Sequence, residues 1–424
     1  MRYKFSALVV ALAAMNATAC DRLLSVDNPG RVPEETLSDP ALIPALEAGA
    51  IQQFQCGWEQ YVVTAGTLSG EYWVSNGFID SHPWEWRGVA EIKANPGGCA
   101  TTRGQTFMGF YTPLQQARFQ LEDLGKRVAA FSDAQLGSAT VKARLQAEAA
   151  AYAGYTYVLL GEGMCDMTVD NGPKISKADV FKLAEQRFTE ALGFVGTSTD
   201  TSLVNLRNMS YAGRARERLD AGNLDGAAAD AALVPAGYVR TAEFTEGGAV
   251  SRENRLYNMT IRNDFLSVAP AYRGLTLENG QPDPRVRVVQ PTPPRNGNDN
   301  VTPMWLQQKF IAQAGGTPLP IASYAEAQLI LAEAKGGAEG LAAINRVRAL
   351  SNIPAITTPP ADFKALIIEE RRRQLFSEGQ RYGDMLRFNI PFQSGTNRKG
   401  QTYSTLTCVP LPDVETRNNP NLGS

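Results

Sequence analysis

Between Gly66 and Cys99 the chain gathers three of its five tryptophans into a loop rich in Gly, Pro and Ser. The segment reads Glu71-Tyr72-Trp73, then Asn76, then His82-Pro83-Trp84-Glu85-Trp86-Arg87. Flat rings in an exposed loop can stack on the apolar faces of sugar rings, because they offer a large area with little rotamer freedom to lose. Amides and charges beside them then hydrogen-bond the hydroxyl groups. Tyr72, Trp73, Trp84 and Trp86 are the candidate platforms, with Asn76, Glu85 and Arg87 as polar partners and the later Trp305 and Tyr272 facing them. Trp84 and Trp86 are two apart, so an extended segment would aim both rings the same way. The competing reading for each ring is core packing beneath an irregular segment. His82 reads as a hydrogen-bonding loop residue.

Catalytic chemistry has less to stand on. The sequence has no G-x-S-x-G, G-x-x-x-x-G-K-[ST] or H-E-x-x-H pattern, and His82 is its one histidine. One imidazole cannot serve as both proton shuttle and metal ligand set. No C-x-x-C pair exists either, so neither a zinc site nor a cofactor is expected. Asn296-Gly-Asn-Asp-Asn300 reads as a turn and lacks the spacing of a calcium loop. Carboxylate pairs abound in a chain this rich in Asp and Glu, so glycoside hydrolysis stays open as an alternative. The net charge is −2 with basic residues dispersed, which excludes a nucleic-acid footprint.

Amphipathic and alanine-rich helices must hold this loop. Helix is predicted from Ser38-Asp39-Pro40 into Ile51, and over 112–131, 138–160 and 176–194, the last opened by a capping box at Ser176 and Asp179. Two alanine-rich helices in 203–233 meet at Asp220-Ala-Gly-Asn-Leu224, and 323–350 repeats the logic around Gly336-Gly337. Such pairs bury their apolar faces by stacking on neighbours, in the manner of tetratricopeptide repeats or of plain helical hairpins. Residues 235–320 form a long irregular insertion with short strands, Arg285 to Val289 among them. The fold class is mainly α: tetratricopeptide-like hairpins with a loop-rich insertion, in one domain over 20–424.

Residues 1–19 carry an export signal: Arg2 and Lys4, an apolar run from Phe5 to Met15, then Ala17-Thr18-Ala19 before Cys20. A cysteine at that junction is a lipidation candidate, which would anchor the chain to a membrane. Cys56, Cys99, Cys165 and Cys408 then remain, an even number for an oxidising compartment, with three connectivities open. Cys56 with Cys99 is favoured because both lie in one N-terminal segment; Cys165 with Cys408 is what remains.

The stretch Ile367 to Arg387 packs charge between apolar flanks, so some of its carboxylate–guanidinium pairs are expected to be partly buried. It resembles the C-terminal hallmark of the RagB/SusD family. Glu369, Glu370, Arg371, Arg372, Leu375, Glu378, Gly379, Arg381, Asp384, Leu386 and Arg387 match, while Gln374 stands where a Glu is usual. The segments Val26-Asp27-Asn28-Pro29, Thr407 to Pro412 and Asn418 to Leu422, with the helical hairpins, extend the resemblance to both ends. The resemblance implies a non-enzymatic outer-membrane lipoprotein facing the cell exterior. It would capture a nutrient, an oligosaccharide or else a peptide, and deliver it to a SusC-like TonB-dependent outer-membrane receptor. The alternatives are a secreted glycan-processing hydrolase and a helical-repeat scaffold lipoprotein.

Overall fold

The computed structural model describes residues 36–102, 105 and 108–422. The segment expected to be an export signal, Cys20 and the Asp-Asn-Pro leader lie outside the described residues. The chain divides into two units, up to Ile43 and from Pro44 onward. Of the first, two 3-10 turns are described, and Asp39 caps the second by accepting from the Ala41 N–H at 2.9 Å.

The second unit begins in helix α1 (Ile43–Leu68), followed by strand β1 (Tyr72–Val74) and the short helices α2 (His82–Trp86) and α3 (Val89–Ala94). Helices α4 (Tyr111–Ala130) and α5 (Ala139–Gly163) come next, then the strands β2 (Asp166–Met167) and β3 (Ile175–Ser176). Helices α6 (Lys177–Val195), α7 (Thr201–Asp220) and α8 (Leu224–Ala231) complete the first helical run. An irregular region holds β4 (Val239–Ala242), β5 (Leu266–Val268), β6 (Val288–Val289), β7 (Leu306–Gln307) and β8 (Leu319–Ser323). The chain closes through α9 (Tyr324–Lys335), α10 (Gly337–Leu350), α11 (Phe363–Gln374), α12 (Gln380–Phe388) and α13 (Asp413–Asn418). No helix among the described residues is long and apolar enough to cross a membrane.

The helices start where short polar side chains can take up orphaned N–H groups. Ser138, Ser176, Asp200, Asn223 and Ser323 cap α5, α6, α7, α8 and α9 in this way. Successive helices then stack: α5 on α4, α6 and α7, and α9 on α7, α8 and α10. Phe188 of α6 shows how closely they approach. A Cβ on Gly154 would lie 2.8 Å from its ring and one on Gly213 2.4 Å, so only glycine at both lets α5 and α7 close on that ring.

Much of the charge buried within the array is paired. Arg216 donates to both carboxylate oxygens of Glu162 at 2.5 and 2.8 Å, and Tyr61 adds its hydroxyl at 2.7 Å. Burial alone would raise the Glu162 pKa; Arg216 instead holds it below its ordinary value. The hallmark stretch behaves alike. Glu370 receives Arg285 at 2.5 Å and Arg348 at 2.8 Å, and Arg371 meets Asp384 at 2.9 Å. It is two helices: α11 ends at Gln374, and positive φ at Ser377 (65°) and Gly379 (74°) turns the chain into α12.

The irregular region carries only short antiparallel pairs, β1 with β5, β4 with β8 and β6 with β7. The expected strand Arg285 to Val289 shrinks to Val288–Val289, because Arg285 turns inward onto Asp283 and Glu370. Disulfides join Cys56 to Cys99 and Cys165 to Cys408, with Cα atoms 5.8 and 5.0 Å apart. The second ties the end of the α5 region to the C-terminal tail.

Candidate functional site

Trp73 stands opposite Ser267 in the β1–β5 register. On the other edge of β5 the Trp305 N–H donates to Ser267 Oγ at 2.9 Å, and the Trp305 carbonyl accepts from the Val268 N–H at 2.9 Å. Two indoles more than two hundred positions apart in sequence thus flank one buried strand, and both are half-buried. Arg273 lies over both rings, with its guanidinium carbon 5.0 Å from the centroid of Trp73 and 4.9 Å from that of Trp305. Its Nε donates to the Val268 carbonyl at 2.8 Å, which fixes the plane of the guanidinium. Among the described residues neither terminal nitrogen has a protein partner, and Nη2 is buried. Burial, then the cation of Arg398, lowers its pKa to about 10.

Arg398 also lies over Trp73, at 4.6 Å, and arrives from a turn in the C-terminal loop. It is fully engaged: Nη1 and Nη2 reach Glu85, Nη2 also donates to the Val74 carbonyl, and Nε donates to Thr302 at 3.0 Å. Its neighbour Lys399 pairs with Asp299 at 2.6 Å and donates to the Asn76 carbonyl at 3.1 Å. Although burial pushes the other way, hydrogen bonds from Lys399 and Thr302 hold Asp299 at about 2.

Arg87 anchors the same loop. It has φ +60° at the end of α2 and donates to the carbonyls of Gln393 and Ser404 at 2.6 and 2.7 Å, and to the Gln393 side chain at 3.1 Å. Phe392 and Tyr403 lie against its guanidinium, each 5.3 Å away, and line with it a cavity of about 450 Å³.

Of the residues singled out in the sequence, Trp73 and Trp305 are both half-buried and meet over the same guanidinium. Tyr72, Trp84 and Tyr272 are core, at 0%, 1% and 3% exposure. The Tyr72 and Tyr272 rings lie 6.2 and 4.9 Å from Phe376, and Trp84 lies 6.4 Å from Phe110. The extended geometry expected for Trp84 and Trp86 is corrected: Pro83 opens a helix there, and helical residues two apart point about 200° apart. Trp86 is half-buried against Gly88, away from the buried Trp84. Asn76 is buried and holds the loop, accepting from the Phe78 N–H at 2.9 Å and the Ser81 hydroxyl at 2.8 Å. Glu85 accepts from the Val74 N–H at 2.6 Å and from Arg398, and His82 bonds the Asn76 carbonyl at 2.7 Å. Asn76, Glu85 and Arg87 therefore build the site's support instead of lining its open face.

Sequence reasoning missed Arg273 and Arg398. Arg273 had a readable signal, since Val268 to Leu277 contains no acidic residue to pair with it. Arg398 had none, because its carboxylate partner Glu85 lies 313 positions away.

The fold and this arrangement define a class. The profile of the SusD family matches residues 244–422. No curated protein sequence matches the chain. A SusD superfamily protein from Bacteroides fragilis superposes with a TM-score of 0.65 at 15% identity, covering 91% of this chain and 99% of its own. A SusD-like carbohydrate binding protein from Bacteroides vulgatus gives 0.66 at 14% identity, covering 91% and 97%. Surface glycan-binding protein A from Bacteroides thetaiotaomicron, in complex with laminarihexaose, gives 0.64 at 14%, covering 89% and 97%. The chain is thus SusD-like: in fold over nearly its whole length, and in sequence over residues 244–422.

Proposed function

We propose that this protein captures an oligosaccharide on the Trp73–Trp305 face and passes it to a SusC-like TonB-dependent outer-membrane transporter without altering it. The observation that carries this reading is the half-buried indole pair around Arg273, held in place by the β1 backbone and by side chains from α2 and the C-terminal loop. Structural relatives named for carbohydrate and laminarihexaose binding support the ligand class. Lipid on Cys20 would hold the chain at the outer membrane, facing the exterior. A tethered module works at high local concentration, so modest affinity for the glycan suffices.

Calorimetric titration with a panel of neutral and acidic oligosaccharides, with the products then chromatographed, tests the core of the proposal. Binding of a glycan recovered intact is the expected result. Cleavage of the bound sugar would favour the hydrolase alternative. Purification of the native protein with an attached acyl chain and a large β-barrel partner tests the anchor and the delivery step. A lipid-free protein with no barrel would overturn both.

A further inference from the structure

The half-buried guanidinium of Arg273 differs from those of the arginines in the ion-pair networks. Arg216, Arg285, Arg348, Arg371 and Arg387 each meet at least one carboxylate within 2.9 Å. Arg87 lacks a carboxylate contact but spends its terminal nitrogens on loop carbonyls. Arg398, the cation nearest to Arg273 over the same indole, is neutralised by Glu85, and Lys399 by Asp299. Arg273 has two aromatic faces, one backbone carbonyl on Nε, and no ion-pair partner among the described residues.

Desolvating a cation without a counter-charge is costly unless something supplies the charge. Stacking on indole compensates part of that cost. It leaves the terminal N–H groups unpaired, and these form the planar fork that recognises two-oxygen anions. We infer that the Trp73–Arg273–Trp305 site prefers a glycan carrying an anionic group, a uronate carboxylate or a sulfate ester, which Arg273 receives while the indoles take the sugar rings. This inference rests on the proposed glycan-binding reading and narrows its substrate class. Arg273 acts as the specificity residue; Arg398, neutralised by Glu85, positions Trp73.

The test is a set of titrations with oligosaccharides of matched length. Galacturonate, alginate and glucuronoxylan oligomers form the carboxylate arm, sulfated galactan oligomers the sulfate arm, and carboxyl-reduced or desulfated counterparts the neutral control. The wild type should bind at least one acidic set on the order of tenfold tighter than its neutral counterpart, and the arm that binds identifies the anion. Arg273→Gln should erase that preference, bringing the acidic oligomers to within about threefold of their neutral counterparts. Arg273→Lys should keep part of it, with stronger dependence on salt. If Arg273→Gln does not fold, the wild-type ratio and Arg273→Lys still decide. Equal or tighter binding of the neutral counterparts, abolished by Trp305→Ala, would overturn the anion preference and leave glycan capture standing. Binding of acidic peptides with no glycan of any kind would overturn both.

Discussion

In the helical array, Arg216 is enclosed with Glu162 at 2.5 Å and approaches Glu326 at 3.5 Å; across β1 and β5, Arg273 is enclosed with two indoles and no carboxylate. Arg216 is buried and Arg273 half-buried, and their surroundings differ in kind. The first is closed electrostatically, with each charge answered from another helix. The second is left with donors to spare at a partly open surface. A frame needs internal neutrality to be rigid, whereas a recognition surface needs groups whose best partner is not yet present.

The sharpest way to break this contrast is to remove a partner from the array. Arg216→Met leaves Glu162 buried without its cation, and should lower the unfolding free energy by about 3–5 kcal/mol. Denaturant unfolding checks this; an unchanged midpoint would show that the pair is not a structural closure. Next comes Trp84→Ala, which empties a fully buried indole site and should cost about 3–5 kcal/mol in the same measurement. A variant that melts like the wild type but loses ligand would return Trp84 to the binding surface.

A more gradual effect is expected at the seam between the two regions. Glu59 of α1 accepts from the Arg255 N–H at 2.7 Å, and burial, only partly offset by Arg255, pushes its pKa from 4.5 to about 8. Its folded pKa lies above its unfolded one, so its contribution is fully present below pH 4.5 and is lost as pH rises through about 8. Unfolding free energy should therefore decline over that window, and Glu59→Gln should flatten the decline. Glu71, raised to about 7 by burial, adds to the same slope. An identical pH profile in the Gln variant would show that Glu59 is already ionised.

The array was legible because its signals are local. Ser176 and the Ala-Gly-Asn turn before Leu224 announce helix ends within four residues, and alanine spacing announces close packing. The hallmark charges were legible as buried pairs because their apolar flanks pin them. The site was legible only in part. Trp73 and Trp305 could be named as aromatics, but their meeting depends on β5, a strand of three residues in an insertion without strong periodicity. The pair Trp84 and Trp86 misled because a Pro-initiated helical turn was read as extended chain. Arg398 joins Glu85 through tertiary pairing across 313 positions, which no local pattern encodes.

The central claim is that open indoles, and not core ones, hold the ligand. The double variant Trp73→Ala, Trp305→Ala, titrated with the oligosaccharide that the wild type binds, tests it most directly. The account predicts a loss of affinity on the order of a hundredfold with a melting midpoint shifted by only a few degrees. Unchanged affinity, or loss of binding only together with loss of the fold, would contradict it.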